Sequence, residues 1–173
     1  ANIAHIDHAL AWARKHNLGV VLTALSLPGF RHGVIGEPAP ADKSSPFTDA
    51  ETRYDAEYVW WQLARRYADE GPFLRFELLH RPGAPDAASM QTFNETMLKA
   101  VRASNPKRVV YVTSRGMDID TLNEVFDSET IAADWNVALA FEDVDGRVFA
   151  GDSDGLKRFT DAARTFAWGR EIY

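Results

Sequence analysis

Apolar residues near the start of the chain recur at the spacing of an α-helix. They follow Asn2, a residue type that often caps helices, and comprise Ile3, Ile6, Ala9, Leu10 and Ala13. The turn-forming residues 17–19 end this segment, and an apolar run follows at residues 20–22. The pattern therefore predicts a helix that leads into a buried strand.

The same order of helix and strand repeats along the rest of the chain. Helical spacing predicts helices at residues 49–69, 89–103, 120–126 and 156–166, and apolar runs predict strands at residues 73–79, 108–113 and 136–141. Alternation of this kind is typical of βαβ crossovers, in which helices cover a parallel sheet. The chain is therefore predicted to be an α/β protein.

Two segments interrupt this alternation. Residues 26–47 form a connection rich in Pro and Gly, and a connection of that length in a compact domain is usually functional or mobile. Asp145-Gly146 lies between two short apolar runs, which predicts a hairpin turn.

Composition limits the size and the partners of this domain. The chain has 173 residues, of which 46% are hydrophobic, so we predict a single domain at residues 1–173 that is short for an eight-stranded α/β barrel. A net charge of −6 without a cationic cluster disfavours nucleic acid, and no apolar run is long enough to cross a membrane. The chain has no cysteine, and we predict neither a cofactor nor a metal site.

Residues 76–82 carry a motif that resembles a known enzyme family. Their sequence, Phe-Glu-Leu-Leu-His-Arg-Pro, is similar to Phe-Glu-x-x-Asn-Glu-Pro in strand four of glycoside hydrolase family 5. The resemblance implies that Arg81 stands where the family has its acid, a Glu that protonates the departing sugar oxygen. A guanidinium stays protonated at working pH, so it cannot perform that step.

Members of that family fold as an eight-stranded α/β barrel, and the resemblance extends over the central portion of that barrel. Residues 18–31 are similar to strand three and its loop, with Thr23 in the place of Asp and Leu25 in the place of His. Residues 100–112 resemble the passage into strand five, and Phe141-Glu142-Asp143 occupies the place of Phe-His-x-Tyr after strand six. The family's nucleophile lies on strand seven, and this chain stops at Tyr173, roughly where that strand would start, so we expect the nucleophile strand to be absent.

The fold implied by this resemblance is a partial (β/α) barrel-like parallel sheet with flanking helices. A partial barrel leaves an open seam, and a second copy of the chain could close it. The alternative is an open doubly wound sheet of flavodoxin-like shape, with ligands at the carboxyl ends of its strands.

Three glutamates are candidate catalytic residues: Glu37, Glu77 and Glu142. A retaining glycosidase needs two carboxyl groups about 5 Å apart. Glu77 lies four residues before Arg81, which is about 13 Å along an extended strand. We therefore expect Glu77 to pair with a cation such as Arg75 or Arg108.

Four residues are candidate contacts for a substrate: Phe30, His80, Arg81 and Trp135. His80 and Arg81 could bind an anionic group, but pairing of Arg81 with Glu37, Glu142 or Asp143 is favoured because acidic residues are in excess. A platform for sugars could be formed by Tyr58, Trp60, Trp61 and Trp135, although aromatic residues at helical spacing more often belong to the core.

A second motif, at residues 151–155, fits the Gly-x-Ser-x-Gly pattern of a nucleophile elbow. No histidine follows it in the chain, and Ser153 or Asp154 as a helix cap explains the same residues. His5 and His8 share one helical face, but two imidazoles do not complete a metal site.

Three functions remain open at this point. The leading hypothesis is a glycosidase-like domain without hydrolytic activity that binds an oligosaccharide or polysaccharide. The others are an active β-glycosidase that uses unmatched carboxylates, and a flavodoxin-like module that binds a small ligand. The resemblance implies a secreted or periplasmic location, and a homodimer is expected if the seam is closed by a second copy.

Overall fold

The computed structural model describes residues 3–31, 45–118 and 121–142, together with residues 154, 157 and 161. The elements are α1 (Ile3–Lys15), β1 (Val20–Thr23), β2 (Ser26–Leu27), β3 (Phe30–Arg31), α2 (Ala50–Arg66), β4 (Leu74–Glu77), α3 (Ala87–Arg102), β5 (Val110–Val112), a 3₁₀ helix (Leu122–Asp127), α4 (Glu129–Ala133) and β6 (Val137–Leu139). Among these helices, none is both long enough and apolar enough to span a bilayer.

Four parallel strands form the main sheet in the order β1-β4-β5-β6. Neighbouring strands follow the order of the chain, whereas a doubly wound sheet reverses its strand order at a switch point. The described strands show no such reversal, so the prediction of a barrel-like parallel sheet with flanking helices is confirmed over the open alternative. The sheet is not closed within the described ranges, and closure by a second copy stays a prediction.

One face of this sheet packs against the helices and forms the core. Leu74 and Phe76 of β4 and Val110 of β5 are fully buried on it. Helix α2 covers them with residues one turn apart, and α3 does the same with an apolar stripe. The buried apolar residues of these two helices are Ala56, Trp60, Ala64, Met90, Phe93, Met97, Leu98, Ala100 and Val101. Burial of one such large side chain stabilises the fold by about 1.5–3 kcal/mol.

The opposite face of the sheet is polar. The register places Thr23, Glu77 and Tyr111 side by side across three strands. Thr23 Oγ1 donates to Glu77 Oε2 at 2.7 Å, and Arg75 Nη1 donates to the Tyr111 hydroxyl at 3.0 Å. A sheet covered by helices on both faces would be apolar on both. Here apolar and polar residues alternate along the strands, as in a sheet with helices on one face and a polar interior on the other.

Some predicted elements differ from those in the structure. The helix predicted at residues 120–126 is the 3₁₀ helix Leu122–Asp127, and α4 was missed because it has five residues. The connection at residues 26–47 contains the hairpin of β2 and β3. The predicted hairpin turn at Asp145-Gly146 lies outside the described residues, as does most of the helix predicted at residues 156–166.

Arg108 is a buried cation at the amino end of the sheet, with 7% of its surface exposed. Its Nη1 donates to the carbonyls of Gly71 and Leu74, and its Nη2 to those of Tyr67 and Glu70, each at 2.8 Å. Burial lowers the pKa of this guanidinium because the charged form loses water. The carbonyl dipoles take the place of that water.

Two aspartates cap the long helices. Asp49 accepts hydrogen bonds from the side chain and the backbone N–H of Thr52 at the start of α2, and these lower its pKa. Asp86 accepts from the backbone N–H of Ser89 at 2.7 Å at the start of α3, and this bond lowers its pKa as well. Both caps stabilise the carboxylate form at a helix N-terminus.

We expect Arg108→Lys to lower the free energy of unfolding by about 3 kcal/mol, because an ammonium cannot satisfy the carbonyls that the planar guanidinium reaches. Urea denaturation measures this change. Arg65→Lys on the exposed face of α2 is the control and should change stability by less than about 0.5 kcal/mol. Equal effects of the two substitutions would contradict the assigned role of Arg108.

We also expect the two caps to contribute to acid unfolding. A carboxylate whose pKa is lowered on folding stabilises the protein above its unfolded pKa, near 3.8. That contribution is lost as the pH falls from about 5 through the lowered folded pKa. The double variant Asp49→Asn/Asp86→Asn keeps the caps without the charges, so its stability should fall less between pH 5 and pH 3 than that of the wild type. Asp55→Asn, in the middle of α2, is the control for removal of an aspartate charge away from the two caps.

Candidate functional site

The carboxyl ends of β1, β4 and β6 surround a cleft of about 410 Å³. Parallel strands present these ends at one edge of the sheet, which is where ligands bind in barrels of this kind. The cleft is lined by Val21, Thr23, Glu77, His80, Tyr111, Met117, Leu139, Ala140, Phe141 and Glu142.

A bend after β4 places His80 against Glu77. The strand ends at Glu77, the backbone N–H of His80 donates to the Ala24 carbonyl at 3.0 Å, and Arg81 adopts a positive φ of 49°. In an extended strand, residues three apart lie on opposite faces, but here His80 Nδ1 is 3.1 Å from Glu77 Oε1. Glu77 therefore lies in the cleft at the carboxyl ends of the strands, beside His80.

One of the two cations predicted to pair with Glu77, Arg108, does not contact it. The carboxylate of Glu77 contacts Thr23 and His80. The guanidinium of Arg108, one of the two predicted cations, donates to backbone carbonyls and to Asn105 instead. Arg108 lies before β5, at the amino end of the sheet, so it cannot reach a side chain at the other end.

His80 lies between two carboxylates. Its Nε2 is 3.0 Å from Glu142 Oε1, while its Nδ1 faces Glu77. A neutral imidazole donates from one nitrogen, so both contacts are hydrogen bonds at once only if the ring carries two protons or one carboxyl is protonated. The ring thus joins β4 to β6 and occupies the space between the two acids.

Arg81 forms an ion pair with Glu142. Its Nε and Nη2 both lie 2.5 Å from Glu142 Oε2. The side chains of Arg81 and Glu142 are 25% and 28% exposed, so water screens this pair only in part. Of the three acidic partners predicted for Arg81, the structure shows Glu142.

Met117 connects the segments that carry these two charges. Its sulfur accepts the backbone N–H of Arg81 at 3.3 Å, and its carbonyl accepts the backbone N–H of Glu142 at 2.7 Å. Met117 has a positive φ of 56°, a conformation that costs a non-glycine residue free energy. The turn after β5 therefore holds the loops after β4 and β6 in place.

Two of the remaining candidates, Phe30 and Trp135, do not join this cluster. Phe30 is 7% exposed and packs edge-on against Phe47, with ring centroids 5.9 Å apart, so the core takes up the surface that was predicted to meet a sugar. Trp135 is 69% exposed but precedes β6, at the opposite end of the sheet from the cleft. Glu37 lies outside the described residues.

The aromatic residues of α2 serve two different roles. Trp60 is 1% exposed and its indole N–H donates to the Leu78 carbonyl at 3.0 Å, as expected of a core residue. Tyr58 and Trp61 stack with centroids 5.8 Å apart, and the Arg65 guanidinium lies 5.3 Å from the Trp61 ring centroid. Trp61 therefore has aromatic and cationic neighbours within the protein.

Several cleft residues were not chosen from the sequence. Thr23 was noted as a departure from the family motif, and Tyr111 lies on a predicted strand, so alternation along the strands could have identified both. Met117 follows β5 in a loop that no motif marks. No group of three or more His, Cys, Asp or Glu side chains in the described part of the chain has an arrangement suited to a metal ion.

No protein-family model matches the chain. It is 30% identical to Endoglucanase C of Acetivibrio thermocellus over 110 residues, which cover 64% of this chain and 30% of that protein. It is 27% identical to a probable glucan 1,3-beta-glucosidase A of Emericella nidulans over 146 residues, which cover 81% of this chain and 35% of that protein. The chain thus spans about a third of the length of these relatives.

Solved structures share the fold over nearly the whole chain. The cellulose synthase subunit Z of Clostridioides difficile is 23% identical, with a TM-score of 0.67 over 98% of this chain and 59% of the other. A family 5 xyloglucan-specific endo-β-1,4-glucanase from a metagenomic library is 17% identical, with a TM-score of 0.70 over 98% of this chain and 55% of the other. The chain therefore resembles part of the glycoside hydrolase family 5 domain in sequence and in fold, as the motifs predicted.

We expect the ion pair between Arg81 and Glu142 to contribute about 1 kcal/mol of coupling energy at low salt, because both side chains are partly buried. A double-mutant cycle with Arg81→Gln and Glu142→Gln measures this coupling by urea denaturation. The Arg14–Glu70 pair, whose Arg is 55% exposed, is the control and should show weaker coupling. Additive effects of the Arg81 and Glu142 substitutions would contradict the arrangement described.

Proposed function

We propose that this chain is a family 5-like domain that binds a neutral oligosaccharide in the cleft and does not hydrolyse it. The observation that carries this proposal is the ion pair of Arg81 with Glu142. In the motif comparison Arg81 takes the place of the acid. The carboxylate of Glu142 forms an ion pair with it.

Neither cleft carboxylate is arranged as an acid or a nucleophile. Glycosidases of this type need one carboxyl group that is protonated and one that is ionised, and a retaining pair is about 5 Å apart. Glu142 is engaged by Arg81 and His80, and Glu77 by His80 and Thr23. The imidazole of His80 stands between the two acids, so they do not face one glycosidic bond from its two sides.

The cleft is suited to a neutral polar ligand. Its volume of about 410 Å³ lies in the range of small-molecule sites, about 300–1,000 Å³. The carboxylates and the hydroxyl of Tyr111 can hydrogen-bond to sugar hydroxyls, and Phe141 supplies an apolar surface. An anionic ligand is disfavoured because Arg81 is already paired and Glu77 adds a second negative charge. The similar xyloglucan-specific enzyme is described in complex with cellotriose, which favours a glucan.

The second candidate function is hydrolysis by Glu77 or Glu142. The presence of both carboxylates in one cleft and the similarity to endoglucanases favour it. This function requires that His80 and Arg81 release at least one of the two acids when substrate binds.

Titration with cellotriose, mannotriose and a mixed-linkage β-glucan oligosaccharide tests binding. We expect chemical-shift changes at Thr23, His80 and Tyr111 with at least one of them, and Glu77→Gln should weaken that binding about tenfold or more, because a buried acceptor is replaced by an amide. Glu57→Gln on α2 is the control and should bind as the wild type does. If none of the three sugars changes the cleft resonances, the binding proposal is wrong.

Release of reducing sugar from the same substrates tests the absence of hydrolysis. We expect no release above the background of the buffer. Turnover that disappears in Glu142→Gln or Glu77→Gln but persists in Glu129→Gln, on the outer surface of α4, would establish the second candidate function instead.

A further inference from the structure

We infer that a single ordered water molecule binds in a cavity between α3 and the carboxyl end of β5, where it bridges Asn94 and Thr113. Both residues are inside the protein, with 1% and 2% of their surfaces exposed. The Asn94 amide nitrogen donates to the Thr113 backbone carbonyl at 2.9 Å. The water would connect two further polar atoms of these residues, the amide oxygen of Asn94 and the hydroxyl of Thr113.

Those atoms have no hydrogen-bond partner within the described part of the chain: they are Asn94 Oδ1 and Thr113 Oγ1. The orientation of the amide does not resolve this. If the amide were flipped, its oxygen would face the Thr113 carbonyl, and neither of those oxygens can donate. Buried polar atoms in folded proteins are nearly always satisfied, so a pair of unsatisfied atoms at one place indicates an unassigned partner.

The cavity next to these atoms has the size of one water molecule. Its volume is about 10 Å³, which is close to the minimum that holds a water. It is lined by Ala87, Met90, Gln91, Asn94, Thr113, Ser114, Arg115, Glu124, Val125 and Ile131. The unsatisfied residues both line it, and Gln91 and Ser114 add polar groups. A water there would donate to Asn94 Oδ1 and accept from the Thr113 hydroxyl.

This position connects the water to the candidate site. Thr113 follows β5 directly, and the carbonyl of the next residue, Ser114, accepts the backbone N–H of Met117 at 3.2 Å. Met117 in turn holds the backbones of Arg81 and Glu142. The water therefore fixes the base of the turn that positions the charged residues of the cleft. This assignment does not depend on whether the cleft binds a sugar.

The experiment compares Thr113→Val with Thr113→Ser in the full chain. Valine has the shape of threonine and suits a strand end, so it removes the hydroxyl with little change in packing. If water bridges the two side chains, Thr113→Val should lower Tm by about 2–4 °C, while Thr113→Ser, which keeps the hydroxyl, should lower it less. If the hydroxyl is truly unsatisfied, its replacement by a methyl group should leave Tm unchanged or raise it, and that result would overturn the inference.

A direct measurement separates a bound water from a rearranged contact between the two side chains. Cross-relaxation between bulk-exchanging water and the Asn94 side-chain amide protons should reveal a long-lived water in the wild type. The signal should persist in Thr113→Ser and weaken in Thr113→Val. If Thr113→Val lowers Tm but the wild type shows no water signal, the two side chains bond each other directly. That result would make the inference wrong.

Discussion

The hydrogen bonds of the Arg108 guanidinium hold together the amino end of the sheet. One side chain donates to carbonyls at the end of α2, in the connection after it and at the start of β4, and to Asn105 after α3. Its cation also lies 5.4 Å from the ring centroid of Phe76 in the core. A lysine or a neutral amide could not satisfy all of these acceptors at once. The charge stays buried because the backbone dipoles around it replace the lost water.

The alignment of the strands at the amino end of the sheet determines which residues meet at the carboxyl end. Strands β4 and β5 start where Arg108 holds their preceding loops, so their registers place Glu77 beside Tyr111. Apolar side chains on one face pack against α2 and α3, which leaves the polar residues to the opposite face. The cleft is therefore a consequence of strand alternation combined with a fixed register. The turns that follow the strands then bring His80, Arg81 and Glu142 together.

The helices and strands were predicted well because each depends on the spacing of apolar residues within its own segment. Helical spacing of apolar residues located α1, α2 and α3, and apolar runs located the four strands of the main sheet. The contacts of the site were harder to predict, because they depend on bends rather than on periodicity. The pairing of His80 with Glu77 requires the chain to leave the extended conformation after β4. The residues between them, Leu78 and Leu79, are not turn-forming types, so the sequence does not predict this bend. The role of Arg108 was missed for a different reason: its partners are backbone carbonyls, which carry no sequence signal.

Two departures from the family motif are physically one change. The comparison of motifs puts Arg81 in the place of an acid on strand four and Glu142 in the place of a histidine after strand six. Without the other, each charge would lose its ion-pair partner at a partly buried position, which is costly. Together they form an ion pair, and His80 connects Glu142 to Glu77. A chain that had merely lost an acid would leave an unmatched pocket, whereas this cleft has a new set of mutually satisfied side chains. That compensation favours a site whose charged residues changed together as a unit.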